Sequence, residues 1–147
     1  MTKVFSGVYY NTYQIRKVIM NTIFESNFVV MPKHANYMYP MIFGGAFFSE
    51  LDLCAATCAS RLLHDSTCDS AVTHKFSGTF HAAAEVGDII FLRAVVSELR
   101  KKAIVIEVYA ERERRAKPGR DIVASCEFVF ISKLEGEFKH HGLMLSE

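Results

Sequence analysis

Two acidic residues, Glu50 and Asp52, interrupt an otherwise apolar run of the sequence. A carboxylate in such surroundings is unfavourable unless it is hydrogen-bonded, paired with a cation or used in a reaction. Partial burial also raises the pKa of a carboxyl group toward the range in which it serves as a general base. The alternative is an acid that faces solvent or pairs with arginine at a subunit boundary. The pattern of the run alone does not choose between the two acids.

Gly44 and Gly45 precede these acids and begin the segment that carries them. No further Gly or Pro occurs before Gly78, so we predict one long helix over residues 42–63. The unpaired N–H groups and the dipole of a helix start can stabilise a developing oxyanion, and glycine lets a substrate approach closely. The alternative is that the glycines only allow the helix to pack closely on a strand. Apolar residues occur nearly all round the helix, which indicates burial on most sides.

The segments that flank this helix have strand character. The strand candidates are residues 28–31, 71–79, 89–99, 103–111 and 122–132, and a polar tip with a Pro-Gly turn occupies 112–121. One helix followed by hairpin-linked strands predicts an α+β fold, in which a five-stranded antiparallel sheet wraps round the long central helix. We expect an N-terminal arm or short helix over 1–25, a single domain over 26–134 and a polar tail over 135–147.

The composition limits the classes of function. The chain has 147 residues, 50% of them hydrophobic, and a formal net charge of +1, so we expect one folded domain and no nucleic-acid partner. No apolar run is long enough to span a membrane without a charged residue, and the N-terminus lacks the pattern of a secretory signal. The cysteines form no C-x-x-C pair, so we interpret Cys54 and Cys58 as small core residues of a reduced, cytoplasmic protein.

Several motifs occur together along the chain. They are Asn36, Phe43-Gly44-Gly45, Asp52 seven residues after Gly45, Phe76 with Phe80, and the Val86-Gly87-Asp88 turn with the strand that follows it. This set resembles the acyl-CoA thioesterase family of the hot-dog fold, over roughly residues 27–132. The resemblance implies that Asp52 is the general base or nucleophile. It also implies that Asn36 is contributed across a dimer, where it helps to hold the water or the thioester, and that the assembly is a homodimer or a dimer-based higher oligomer.

Under this resemblance the predicted reaction is hydrolysis of fatty acyl-CoA. Water would be activated at Asp52, and the carbonyl oxygen would be held at Gly44 and Gly45. A hydroxyl on the strand after the helix could hydrogen-bond the acid, and we favour Thr73 for this contact. We expect Glu50 to face a partner or solvent. The reaction requires no metal ion and no redox or other cofactor.

Basic residues on the polar tip could bind the phosphates of coenzyme A, because arginine suits phosphate groups. They are Arg112, Arg114, Arg115 and Lys117. A charged hairpin exposed to solvent, with acidic residues interspersed, explains the same pattern. Two other functions stay open. One is a non-catalytic module that binds acyl-CoA or an acyl carrier on the same fold. The other is a hot-dog dehydratase, which usually pairs a histidine with an acid, whereas the central helix has no histidine.

Overall fold

The computed structural model describes residues 2–5, 8–11, 23–64 and 66–143. Its elements follow in the order β1 (Thr2–Phe5), β2 (Val8–Asn11), β3 (Ile23–Val29), a 3-10 helix (Pro32–His34), α1 (Gly44–Leu63), β4 (Ser70–Phe80), β5 (Ile89–Leu99), β6 (Ala103–Arg114), β7 (Lys117–Leu134) and β8 (Glu137–Phe138). The predicted helix and the four strands that follow it are all present, and each strand extends at least as far as the alternating pattern suggested.

The main sheet has the strand order β3-β5-β6-β7-β4, and every neighbouring pair is antiparallel. The short strand β8 adds to it by pairing with β7. Within the described residues, β3 and β4 are each paired along one side only, so they form the two long edges of the sheet. The α+β prediction of five antiparallel strands around one helix is therefore confirmed, with the two-residue β8 as an addition.

The helix α1 packs one face against the concave side of this sheet. Its buried residues recur every three or four positions: Phe47, Leu51, Cys54, Ala55, Cys58, Ala59, Leu62 and Leu63. The opposite face is open, and Leu53 on that face is 62% exposed. The expectation that the helix is buried on most sides is therefore wrong for a single chain, because the sheet of one protomer covers only one stripe. No helix in the described part of the chain has the length and apolar character needed to cross a membrane.

The cysteines behave as the sequence predicted. Cys54, Cys58 and Cys68 are buried and unbridged, and burial raises the pKa of the Cys58 thiol to about 11. Among the described residues, no group of three or more His, Cys, Asp or Glu side chains is arranged to hold a metal ion.

The N-terminal segment differs from the expected arm or short helix. Its described residues are strands: β1 pairs with β2 as an isolated antiparallel hairpin, and β3 already begins at Ile23. Residues 1, 6–7 and 12–22 lie outside the described residues. The β6–β7 turn also differs, because the chain reverses at Arg115 and Ala116 while Pro118 and Gly119 lie inside β7. Gly119 has φ +93°, so it supplies the irregular backbone that lets β7 continue past the proline.

The C-terminal segment packs on the sheet instead of leaving it as a polar tail. His141 is 2% exposed; its Nε2 donates to the carbonyl of Ala103 at 3.1 Å, and its Nδ1 accepts the N–H of Leu143 at 3.0 Å. Burial lowers the pKa of this imidazole. The hydroxyl of Thr67 donates to the carbonyl of His140 at 3.0 Å, so the segment is also joined to the end of the helix region.

Candidate active site

Asp52 and Thr73 meet between α1 and β4. Thr73 Oγ1 donates a hydrogen bond to Asp52 Oδ1 at 3.0 Å. Asp52 is half-buried on the helix, and Thr73 is exposed on the strand. The structure thus brings together the acid and the hydroxyl that were favoured from the sequence. Since the hydroxyl engages one carboxylate oxygen, the other oxygen is left to accept a proton from a reactant.

A bulge in β4 aims Thr73 at the helix. The register moves from Thr73 opposite Phe130 to Lys75 opposite Val129, so one extra residue lies in β4 at this point. Without a bulge, residues three apart on a strand face opposite sides of the sheet. Here Thr73 and Phe76 pair with Phe130 and Phe128, which are both buried in the core beneath α1. The bulge therefore places a polar and an aromatic side chain on the same face, toward the helix.

Gly44 and Gly45 form the first turn of α1. The residue before them, Phe43, is the N-cap and makes no side-chain capping hydrogen bond. No side-chain cap therefore competes for the N–H groups of this turn, so they can bind an anion. A methyl group on Gly45 would lie 2.8 Å from the ring of Phe43, and one on Gly44 would lie 3.7 Å from the ring of Phe80. The glycine pair therefore keeps the helix start open between two phenyl rings.

An apolar cavity of about 400 Å³ lies between α1 and the strands β4 and β7. Its volume is within the range of small-molecule sites. Its main lining residues are Phe48, Leu51, Phe76, Phe80, Cys126 and Phe128. The ring centroids of Phe48 and Phe76 are 4.7 Å apart, and burial raises the pKa of the Cys126 thiol to about 12, so the thiol is neutral. The cavity extends from Leu51, which precedes Asp52 on the helix, to Phe80, whose ring lies beside Gly44.

Asn36 lies in the loop between the 3-10 helix and α1. Its Oδ1 accepts the N–H of Met38 at 2.9 Å, and its own N–H donates to the carbonyl of Met41 at 2.7 Å. Both hydrogen bonds stay within the loop, and neither joins Asn36 to Asp52. Tyr37 at the tip of this loop is 92% exposed, and its neighbour Met38 is also exposed. Residues 37–40 of this loop are all exposed and therefore pack little on their own chain.

Glu50, which was expected to face a partner or solvent, lies beside His34 of its own chain, and its side chain is 31% exposed. Its Oε1 lies 4.0 Å from Nε2 of His34, and both side chains are at least partly buried. Sequence reasoning missed His34, because a single loop histidine has no spacing that relates it to an acid on the following helix. Its position two residues before Asn36 was the only available signal.

The position of Arg112 argues against the phosphate contact that was predicted for it from the sequence. The side chain is 6% exposed. Its Nε and Nη2 donate to the two carboxylate oxygens of Asp121 at 3.0 and 2.8 Å, and its Nη1 donates to the carbonyl of Ala83. The hydrogen bonds to Asp121 raise the pKa of Arg112 and lower that of Asp121. The guanidinium is thus committed to protein partners.

The other basic residues of the tip are exposed. Arg114, Arg115 and Lys117 surround the turn between β6 and β7, and two of them border a shallow hollow of about 260 Å³ with Arg120 and Asp121. Arg120 forms an ion pair with Glu113 at 3.4 Å. At this position the tip is therefore a charged hairpin exposed to solvent, as the alternative interpretation of the sequence had it. Arg114, Arg115 and Lys117 form no ion pair within 4.0 Å in the described part of the chain, although the charges of Arg114 and Lys117 help to lower the pKa of Asp121.

The β4–β5 connection joins this tip to the helix start. Ala83 accepts from Arg112, while the carbonyl of Ala84 accepts the N–H of Ile42 at 2.8 Å and the N–H of Val86 donates to the carbonyl of Pro40 at 2.9 Å. The Val86-Gly87-Asp88 turn lies in this connection and holds it in place. Its Asp88 is buried and accepts the N–H of Glu85 at 2.8 Å. The basic tip and the glycine pair therefore lie at the same end of the sheet.

A long helix held in a curled antiparallel sheet, with an acid on the helix hydrogen-bonded to an edge strand, defines a protein of the hot-dog fold. The chain belongs to the thioesterase superfamily, whose family model matches residues 39–119. A search of curated protein sequences finds no match.

Solved structures share the fold at low sequence identity. An alanine variant of acyl-CoA hydrolase from Staphylococcus aureus in complex with coenzyme A has a TM-score of 0.76 at 20% identity, over 84% of this chain and 72% of that chain. An apo-hexameric acyl-CoA thioesterase has a TM-score of 0.76 at 19% identity, over 84% and 77%. A hexameric thioesterase from Yersinia pestis has a TM-score of 0.70 at 20% identity, over 79% and 92%. The variants solved for the Staphylococcus aureus hydrolase replace an asparagine, an aspartate or a threonine with alanine.

Proposed function

We propose that this protein is an acyl-CoA thioesterase, which hydrolyses fatty acyl-CoA to a free fatty acid and coenzyme A. The observation that carries the proposal is the 3.0 Å hydrogen bond from Thr73 to Asp52. It orients a carboxylate beside an apolar cavity and on the helix whose first turn is the open glycine pair. An acid, an apolar pocket and an anion-binding helix start are what thioester hydrolysis needs.

Asp52 acts as the general base in this mechanism. Its free carboxylate oxygen accepts a proton from water while the water oxygen attacks the carbonyl carbon of the thioester. Thr73 holds the other carboxylate oxygen and so fixes the direction of proton transfer. The N–H groups at Gly44 and Gly45 stabilise the oxyanion that forms. The carbon–sulfur bond then breaks, and the departing thiolate takes the proton that Asp52 had accepted.

The acyl group occupies the apolar cavity. Rings from Phe48, Phe76 and Phe128 surround a space that is next to both Asp52 and the helix start. An acyl chain bound there would place its carbonyl carbon between the base and the glycine pair. Exposed aromatic surface at Phe76 and Phe80 would be covered by the chain or by a second protomer.

The complete site is formed by two protomers. Among the described residues, the hydrogen bonds of Asn36 stay within its own loop, and the tip of that loop is exposed. The edge strand β4 and the open face of α1 are the surfaces that a second copy would cover. We therefore infer a homodimer in which Asn36 reaches the Asp52 of the other protomer. The two hexameric neighbours are compatible with a dimer-based assembly.

The phosphates of coenzyme A bind at the β6–β7 tip, at Arg114, Arg115 and Lys117. These side chains are exposed and lie at the same end of the sheet as the helix start. The Staphylococcus aureus hydrolase was solved with coenzyme A and with butyryl coenzyme A.

Its alanine variants replace the same three residue types, in the same order, as Asn36, Asp52 and Thr73 of this chain.

The test is an assay of acyl-CoA hydrolysis, measured as the release of free thiol, for substrates with a series of acyl chain lengths. Asp52→Asn keeps the shape and the Thr73 contact but cannot accept a proton, so turnover should fall at least about 100-fold. Glu127→Gln, an exposed acid on β7, is the matched control and should turn over like the wild type. Wild-type turnover by Asp52→Asn would remove the mechanism. Binding of acyl-CoA by the wild type without turnover would favour a non-catalytic binding module.

A further inference from the structure

We propose that His34 is a positioning residue for the candidate site. It fixes the chain where it enters α1, at Phe43 and Gly44, and it fixes the loop that carries Asn36. This inference rests on the proposed function, because those are the groups that would hold the thioester. The proposal assigns His34 no contact with the substrate.

The backbone of His34 joins the end of β3 to the helix start. Its N–H donates to the carbonyl of Met31 at 2.9 Å, which closes the 3-10 helix. Its carbonyl accepts the N–H of Phe43 at 2.8 Å. Because Phe43 is the N-cap of α1, this hydrogen bond fixes the direction in which the chain enters the helix. A shift at His34 would therefore move the glycine pair.

The imidazole of His34 is held on three sides. Its Nδ1 accepts the N–H of Met31 at 2.9 Å. The rings of Phe28 and His34 pack edge to face, with the centroids 5.5 Å apart. Since Nδ1 is an acceptor, the proton of the neutral ring is on Nε2, which faces Oε1 of Glu50 at 4.0 Å. The side chain is 12% exposed, so this ring is wedged between β3 and the second turn of α1.

Glu50 orients this ring from the helix. An electronegative oxygen opposite Nε2 favours the tautomer that keeps Nδ1 free to accept from Met31. His34 lies on the β3 side of α1, whereas the acyl cavity lies on the β4 side, between Phe48 and Phe76. Loss of the His34 contacts would therefore disturb the groups that act on the carbonyl and leave the acyl pocket in place. The expected kinetic signature is a lower kcat with little change in KM.

Two substitutions separate the contacts of the ring. In His34→Asn, the amide oxygen can accept the Met31 N–H as Nδ1 does, but nothing reaches Glu50. In His34→Gln, the longer amide can reach Glu50, but the acceptor at the Nδ1 position is lost. We expect kcat of His34→Gln to fall roughly 10- to 100-fold with KM within about 3-fold, and kcat of His34→Asn to stay within about 5-fold. Glu50→Gln should resemble His34→Asn.

A second readout does not depend on turnover. Amide hydrogen exchange of the full chain should become at least about 10-fold faster at the hydrogen-bonded amides of Ile42 and Phe43 in His34→Gln, and change little in His34→Asn. A purely structural role would lower the melting temperature and the active fraction of both variants together, without this local difference. Equal kcat values for His34→Gln and the wild type, or unchanged exchange at Ile42 and Phe43, would overturn the inference.

The controls distinguish this inference from the proposed function. Loss of turnover in Asp52→Asn, with a wild-type His34→Gln, would leave the thioesterase proposal intact and remove the role of His34. Absence of turnover in the wild type would overturn both.

Discussion

Thr73 reaches Asp52 because β4 bulges directly after it. The hydrogen bond between them is 3.0 Å long, and the register shift lies between Thr73 and Lys75. A regular strand would turn either Thr73 or Phe76 away from the helix. The bulge lets one short stretch of strand contribute both the hydroxyl for the acid and the ring for the cavity. Bulges near functional sites commonly aim side chains in this way.

Removal of the Thr73 hydroxyl tests this contact. Thr73→Val keeps the shape of the side chain and removes the donor, whereas Thr73→Ser keeps the donor. A hydrogen bond to a charged group contributes about 1.5–3 kcal/mol, which corresponds to roughly a 10- to 100-fold loss of kcat if the bond orients Asp52 in the transition state. Thr73→Ser should remain near the wild type in steady-state thiol release. Full activity of Thr73→Val would show that Asp52 needs no such partner.

Replacement of Arg112 should affect stability and not the binding of coenzyme A. Arg112→Met leaves the carbonyl of Ala83 without its donor and breaks the pair with Asp121, whose side chain is 50% exposed and can be solvated, so we expect a loss of about 1–3 kcal/mol. The measurement is urea denaturation, with Arg114→Ala as the exposed control that should change stability little. A folded Arg112→Met that binds coenzyme A more weakly would restore Arg112 as a phosphate ligand.

The exposed tip should set the affinity for the phosphates. Substitution of Arg114, Arg115 and Lys117 together by Ala should raise KM for acyl-CoA roughly 10-fold at low salt, and the difference should shrink as ionic strength rises. The control substrate is the thioester of pantetheine, which has no phosphate. Its KM should be the same for the triple variant and the wild type. An equal loss for both substrates would argue against a phosphate site at the tip.

His141 should make stability depend on pH. Burial lowers the pKa of its imidazole in the folded state, whereas the unfolded state has the ordinary value of 6.5. The unfolded state therefore binds the proton first as pH falls, so the contribution of neutral His141 is complete above pH 6.5 and is lost below it. Urea midpoints from pH 8 to pH 5 should fall more steeply for the wild type than for His141→Gln. Parallel curves would exclude His141 as the titrating group.

Much of the fold could be predicted because its signals are local. The glycine pair starts α1, and the strand before it, β3, ends at Val29, three residues before Pro32. The alternation of Ile104, Ile106 and Val108 predicted β6. The same alternation, continued for two more pairs of residues, reaches Arg112 on the buried face, so its burial was present in the sequence. It was missed because a run of charged residues resembles an exposed tip.

Other features could not be predicted from one sequence. The position of Leu53 on the open face of α1 depends on whether the covering surface comes from this chain or from another, which apolar periodicity does not encode. The pairing of His34 with Glu50 depends on how the loop folds back on the helix. Asp52 was preferred to Glu50 only through the resemblance. The roles of Asp52, Asn36 and the glycine pair, and the cytoplasmic location, stay predictions.

The packed C-terminal segment has a practical consequence for anyone who shortens this chain. Its composition invites a cut after Leu134, where β7 ends. Such a cut would remove His140, whose carbonyl accepts the Thr67 hydroxyl, and His141, whose imidazole donates to the carbonyl of Ala103. Cys68, which is buried and points its sulfur at the carbonyls of Lys139 and His140, would become an accessible thiol. Trimmed versions should therefore be cut beyond Leu143, and a tag belongs after that residue.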